Sequence, residues 1–215
     1  MNQKIPYIAQ AGKDISAASV RLKQADRKEL IIHAAWRLVA TGGLAAVTIR
    51  SIAKEIASTT GIVVHYFATK EEVVEEMIDR LYSRLRATYN LALKNASAED
   101  RLEKMLLATL PTKPKTAFGW KLSVALQGEV LRSKRIASLH NVHYQQFESD
   151  VCAELRRLQD AGKLSGDADL KMICSQLLVA IDGIGTQFVL RPAVMTPRVQ
   201  RFLLQQQLSS IRTLV

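Results

Sequence analysis

From Asp26 onward the apolar residues of this 215-residue chain recur every three or four positions, and nowhere do they alternate with the period of two that a half-buried strand requires. The first run is Leu30, Ile31, Ala34, Ala35, Leu38 and Val39. Asp26 with Glu29 opens it as a capping box, and Gly42-Gly43 closes it, since glycine accepts the left-handed conformation at a helix end. Thr48 caps a second helix with the stripe Ile49, Ile52, Ala53 and Ile56, and Thr59 caps a third, very short one that runs to about Phe67. Thr69 with Glu72 is another capping-box signature. It opens a long helix carrying Val73, Val74, Met77, Ile78, Leu81, Tyr82 and Leu85, on the order of 40 Å long if it continues to Asn95. Further helices are expected over 98–110, 117–131 and 134–161, with a proline- and lysine-bearing loop over 111–116. Another is expected from near Asp167 to before Pro192, and a last one from the Thr196-Pro197 cap to about Arg212. The predicted fold class is therefore all-α, with about nine helices: a compact trio, then six longer ones.

Composition agrees with packed helices: 48% of residues are hydrophobic and only 6% aromatic. Residues 1–25 lack clean periodicity and read as a flexible N-terminal arm without the apolar core of a signal peptide. No stretch approaches the roughly 18 uninterrupted apolar residues of a membrane span, so no membrane association is expected and the chain reads as soluble and cytoplasmic. The net charge of +10 attracts polyanions. Ten lysines and arginines face four acids within residues 1–70, which places +6 of that charge in the first third, as expected if that third meets phosphate. Cys152 and Cys174 stand in apolar helical patterns and form no CxxC, so they read as small buried hydrophobes.

The second and third helices with their short connection make a helix-turn-helix, a unit that lays one helix across the phosphate backbone while the next enters the major groove. The run Thr48-Ile49-Arg50-Ser51-Ile52-Ala53, followed by Thr60-Gly61-Ile62-Val63-Val64-His65-Tyr66-Phe67-Ala68-Thr69-Lys70-Glu71-Glu72-Val73, is similar to the DNA-binding signature of the TetR family. The string around Gly61, His65, Tyr66, Phe67 and Lys70 most resembles its BetI-like branch. The match covers about residues 27–74. At the turn the chain departs from the family: Ala57 and Ser58 stand where glycine and a small aliphatic are usual, and a left-handed turn costs alanine roughly 1 kcal/mol.

The resemblance implies a helix-turn-helix DNA-binding domain over 26–69 and a helical effector-binding and dimerisation domain over 70–215. Thr59, Thr60, Gly61, Ile62 and Val64 are implied to lie nearest base edges, Thr48 and Arg50 to touch phosphate from the second helix, His65 and Tyr66 to contact phosphate or sugar, and Lys70 to bind phosphate. Phe67 and Ile52 read as core. Arg50 has a competing reading, pairing with Glu55 or another acid, and His65 one as an ordinary surface histidine. Trp120, Gln127, His140, Tyr144 and Phe147 mix aromatic and polar character as small-molecule pockets do, against the bland reading of ordinary amphipathic helices. Leu177, Ile181, Gly183, Ile184, Phe188 and Phe202, on the last two helices, are candidates for a dimer interface, because family members pair these helices into a four-helix bundle; the alternative is that they only cover their own core.

The functional expectation is a ligand-responsive repressor. Its partners are double-stranded DNA carrying a palindromic operator, a second copy of the chain, and an unidentified small-molecule effector; no cofactor is expected. BetI-like relatives suggest a choline-type cation, which wants several converging rings, and few aromatics are present here. His140 and His143 have a spacing compatible with metal, but no acid or cysteine joins them at an obvious spacing, so no metal site is predicted. The chain lacks a nucleophile elbow, P-loop, dinucleotide fingerprint and HExxH, so no enzyme is expected. The remaining alternative is a basic helical protein that binds acidic membrane or a protein partner.

Overall fold

The computed structural model of the chain describes residues 24–94 and 96–212, and among them every regular element is helical. In chain order these are α1 (Gln24–Gly42), a 3-10 turn (Leu44–Ala46), α2 (Ile49–Glu55), α3 (Thr60–Tyr66), α4 (Lys70–Lys94), α5 (Arg101–Thr109), α6 (Pro114–Arg132), α7 (Lys134–Asp160), α8 (Leu170–Leu190) and α9 (Pro197–Arg212). Of the expected arm, residues 1–23 lie outside the described residues. The chain divides into two compact units after Ile78, within α4.

Four helix starts differ from the expectation, each for a local reason. α5 begins at Arg101 rather than near Ala98, because Asp100 N turns back to Ser97 O at 3.1 Å and Ser97 Oγ at 3.2 Å. α1 begins at Gln24, so Asp26 sits in its first turn, where a carboxylate favours the positive end of the helix, rather than capping it. α6 begins at Pro114, which shortens the expected loop, because proline at the first helical position gives up an N–H that has no partner there anyway. α8 begins at Leu170 because the Asp169 carboxylate accepts from the Lys171 and Met172 amides, both at 3.0 Å; Asp167 is engaged instead by the Ser165 hydroxyl.

In the first unit Ile31, Ile32, Ala35 and Trp36 of α1 are buried, as are Ile52, Ala53, Val63, Phe67, Val73 and Met77. The turn between α2 and α3 puts Ala57 at φ 49°, the left-handed region that favours glycine. Ser58 N donates to Ala53 O at 2.8 Å across that turn.

In the second unit one core gathers Leu102, Met105 and Leu106 of α5, Val151 and Leu155 of α7, Leu177 and Ile181 of α8, and Leu204 and Leu208 of α9. Arg101 grips Glu154 with two bonds of 2.8 and 2.7 Å, which satisfies a carboxylate that is 7% exposed. By length and composition α8 is apolar enough to cross a membrane, an 18-residue window in it having a mean hydropathy of 1.5, although Lys171, Ser175, Gln176, Asp182 and Gln187 interrupt its apolar run as expected. Ile173, Cys174, Leu177, Leu178, Ile181 and Ile184 supply part of that hydropathy and are buried in the core of this unit, whereas Met172, Val179 and Leu190 are exposed.

Trp120 lies against α8 at Gly185, where an added Cβ would meet the indole ring at 2.2–2.3 Å. The indole N–H donates to Thr109 O at 2.8 Å, which holds the ring in place. Gly185→Ala is therefore expected to destabilise the protein by about 1–3 kcal/mol, read as a fall in the urea midpoint. An unchanged midpoint would show that the ring gives way freely.

Candidate functional site

The helices of the helix-turn-helix are held from both ends. Thr48 caps α2: its hydroxyl accepts from Ser51 N at 3.0 Å, while Thr48 N donates to Ser51 Oγ at 2.9 Å. Such a cap contributes about 1 kcal/mol. Thr59 caps α3, accepting from Ile62 N at 3.4 Å. Beyond α3, Glu72 reaches back from the first turn of α4 to accept from Ala68 N at 2.7 Å, and Glu72 N donates to Thr69 Oγ1 at 3.2 Å.

These constraints give α3 two faces. Val63 is fully buried, as is Phe67 just beyond the helix end, with the Lys28 ammonium 5.6 Å from the Phe67 ring centre. Opposite, Thr60, Gly61, Val64 and His65 form one exposed stripe at helical spacing. Val64 is apolar yet 47% exposed. Ile62 and Tyr66 flank the stripe, half-buried, and the His65 and Tyr66 rings meet edge-on at 5.0 Å. On the α2 side Thr48 and Arg50 are exposed. Glu55 is bound by Arg37 at 2.7 Å, so the alternative pairing of Arg50 with Glu55 is not the one observed. Lys70 is half-buried, and its ammonium donates to Leu44 O at 3.1 Å, which leaves two N–H groups for another acceptor.

In the second unit the five proposed pocket residues separate. His140 and Tyr144 come together, their rings 5.9 Å apart. Phe147 is buried against Tyr89 and belongs to the core, Gln127 is exposed, and Trp120 is committed to Gly185. Around His140 and Tyr144 the fold assembles residues that the sequence reading did not assign to a pocket. The Tyr82 hydroxyl lies 2.7 Å from His140 Nδ1, and its ring stacks on His143 at 4.9 Å and 6°. His143 Nε2 lies 2.6 Å from Asp79 Oδ1, and the Tyr144 hydroxyl donates to Asp182 Oδ2 at 2.8 Å. Burial pushes the Tyr82 and Tyr144 phenols up, lowers the His140 imidazole and raises the Asp182 carboxyl, although Asp182 as a residue remains exposed. The spacings 79/82 on α4 and 140/143/144 on α7 each mark one helix face, a signal the sequence carried but whose convergence it could not display.

The proposed interface residues also divide. Leu177, Ile181 and Ile184 are buried in their own unit, and Phe188 packs against the same core, on the inward-facing stripe of α8. Gly183 and Phe202 are exposed, and with them Met172, Val179, Leu190 and Leu203.

Residues 31–77 match the family described as "Bacterial regulatory proteins, tetR family", and residues 98–213 match "BetI-type transcriptional repressor, C-terminal". The chain is 23% identical over 188 residues to the HTH-type transcriptional regulator PksA of Bacillus subtilis, covering 83% of this chain and 87% of that protein. It is 25% identical over 170 residues to the HTH-type transcriptional regulator BetI of Serratia proteamaculans, covering 78% and 83%. Among solved structures, a putative transcriptional regulator from Saccharomonospora viridis in complex with choline superposes with a TM-score of 0.79 at 24% identity, over 86% of this chain and 97% of that one. A transcriptional regulator from Rhodococcus superposes with a TM-score of 0.77 at 20% identity, over 86% and 96%.

A Cβ at Gly61 would meet only Thr59 Oγ1, at 3.8 Å, an ordinary contact. The fold therefore does not require glycine there, and Gly61→Ala is expected to raise stability by up to about 1 kcal/mol, since alanine is the better helix former. A loss of thermal stability in this variant would show a packing role for Gly61.

Proposed function

Because the chain belongs to the TetR family of transcriptional regulators, with a C-terminal half of the BetI type, we propose that it works in the cytoplasm as a homodimeric, effector-responsive repressor. In this reading it binds a palindromic operator through α3 and acts by binding rather than by turnover. The observation that carries the reading is the exposed stripe Thr60, Gly61, Val64 and His65, backed by buried Val63 and Phe67. Thr60, Gly61 and Val64 face base edges, with Thr59 and Ile62 at the margin of that contact. Thr48, Arg50, His65, Tyr66 and Lys70 meet the phosphate backbone on either side, where cations fix register without reading sequence. The net +6 of residues 1–70 supports the same assignment.

Two copies join through the outward faces of α8 and α9. Val179 is 70% exposed and Phe202 57% exposed, and Gly183 has open space where a side chain would stand. Large exposed apolar groups on adjacent helices mark an association surface. An effector bound in the second unit changes operator affinity only to the extent that it binds the two conformations differently.

Selection of genomic fragments with purified protein at about 150 mM salt tests the reading, since nonspecific phosphate binding is partly screened there. Recovery of an imperfect palindrome is expected; binding without sequence preference would overturn the operator assignment. On the recovered site Arg50→Ala is expected to weaken all sequences alike and to shallow the salt slope by about one unit, whereas Gly61→Ala changes the ranking of operator variants. A salt slope identical to wild type would remove Arg50 from the phosphate contact. Phe202→Glu is expected to give a folded monomer in sedimentation at micromolar concentration; an intact dimer would place the interface elsewhere.

A further inference from the structure

Asp182 stands in α8, a helix apolar enough to cross a membrane, and it is the only acid between Leu170 and Leu190. Tyr144 donates to its Oδ2 at 2.8 Å, and among the described residues no lysine or arginine is seen paired with it. Burial lowers the His140 imidazole, while Asp182 raises it. A carboxylate that holds a phenol but no cationic side chain is free to form a charge-assisted bond, and the ligand that makes one is a cation. Elsewhere in the same unit the chain supplies that cation itself, as Arg101 does for Glu154 at 2.7 Å.

Near Asp182 lie the rings of His140 and Tyr144 and the ring of Tyr82, one face of which is stacked on His143. Tyr82 and His140 are joined at 2.7 Å, and His140 and Tyr144 lie with ring centres 5.9 Å apart. Asp182 is itself exposed, so a small molecule reaches it without unfolding the bundle. We infer that Asp182, with Tyr82, His140 and Tyr144, forms the effector site and that the effector is a protonated amine carrying N–H donors. A carboxylate, an imidazole and phenol oxygens are hydrogen-bond acceptors, which reward N–H directly. A quaternary ammonium has no hydrogen to give them and depends on ring faces alone. The site therefore prefers an amine over its trimethylated counterpart, a different preference from that suggested by the choline-bound structure of the Saccharomonospora viridis protein. The inference rests on the effector-responsive reading for its regulatory meaning, but the binding itself does not.

Titration calorimetry on the purified full chain at pH 7.5 tests it, using ethanolamine, butylamine and phenethylamine, each beside its N-trimethyl counterpart (choline for ethanolamine). The expected result is saturable binding of at least one amine, at least tenfold tighter than its trimethyl partner. Asp182→Asn, which keeps an oxygen to accept from Tyr144, is expected to lose at least tenfold of that affinity while retaining the wild-type melting curve. Absence of binding by all three amines, equal or tighter binding of the trimethyl forms, or unchanged affinity in Asp182→Asn would each overturn the inference. If Asp182→Asn does not fold, Tyr144→Phe replaces it: an affinity loss of several-fold supports the site and an unchanged affinity overturns it. Because no DNA enters the measurement, failure here leaves the operator reading standing, and failure of operator selection leaves the amine site standing.

Discussion

Two seven-residue helices cannot hold themselves together in water, and the function of the N-terminal unit depends on what holds them. Burial of Ile52 and Ala53 from α2, and of Val63 and Phe67 in and just after α3, supplies the hydrophobic part. Burying a side chain such as Phe67 contributes on the order of 1.5–3 kcal/mol. Thr48, Thr59 and the Glu72 carboxylate supply the polar part by satisfying amides that short helices leave open. With one face of α3 fixed inward in this way, the other is left free of structural duty. Gly61 illustrates the division: nothing around it demands a glycine, so its small size is available for a close approach by another molecule.

Among the described residues of this unit, Ala57 between the two helices is the one non-glycine in the left-handed region. Family members usually carry glycine in this turn, which relieves it. Here Ser58 N bonds back to Ala53 O, and the turn keeps its shape despite the Cβ.

The C-terminal unit follows another logic. Its helices are long and its core large, so stability does not hinge on caps, and polar groups can be placed in the bundle if they are paired. Arg101 and Glu154 are paired; Tyr82, His140, His143, Asp79, Tyr144 and Asp182 link α4, α7 and α8 through hydrogen bonds and ring contacts. Asp182 ends that chain, bonded by Tyr144 and seen paired with no lysine or arginine among the described residues. The inward stripe of α8 is buried in the core of this unit, and the apolar side chains that remain outside on α8 and α9 mark a surface that a second copy covers in the proposed dimer.

Local signals in the sequence were sufficient for the helices and for the DNA-binding segment. Thr48, Thr59, Thr69 with Glu72, and Thr196-Pro197 each announced a helix start through side-chain chemistry that acts within three or four residues, and the family signature fixed the helix-turn-helix. Signals needing tertiary context were less legible. Leu177, Ile181 and Ile184 lie on the same helix as Val179 and Gly183, and sequence alone could not say which face of α8 turned inward. Phe147 and Trp120 read as pocket residues because aromatic character is shared by cores and pockets, and their contacts with Tyr89 and Gly185 were not visible in the sequence. Asp182 was visible as a lone acid in an apolar run, but its meeting with Tyr144 and His140 joins residues about forty positions apart. The most direct test of the account is a hydroxyl-radical footprint of the protein on its selected DNA site. A dimer presenting two copies of α3 predicts two protected patches on one face of the duplex, about 34–36 Å apart if the half-sites are one turn apart. A single patch, or uniform protection along the fragment, would contradict it.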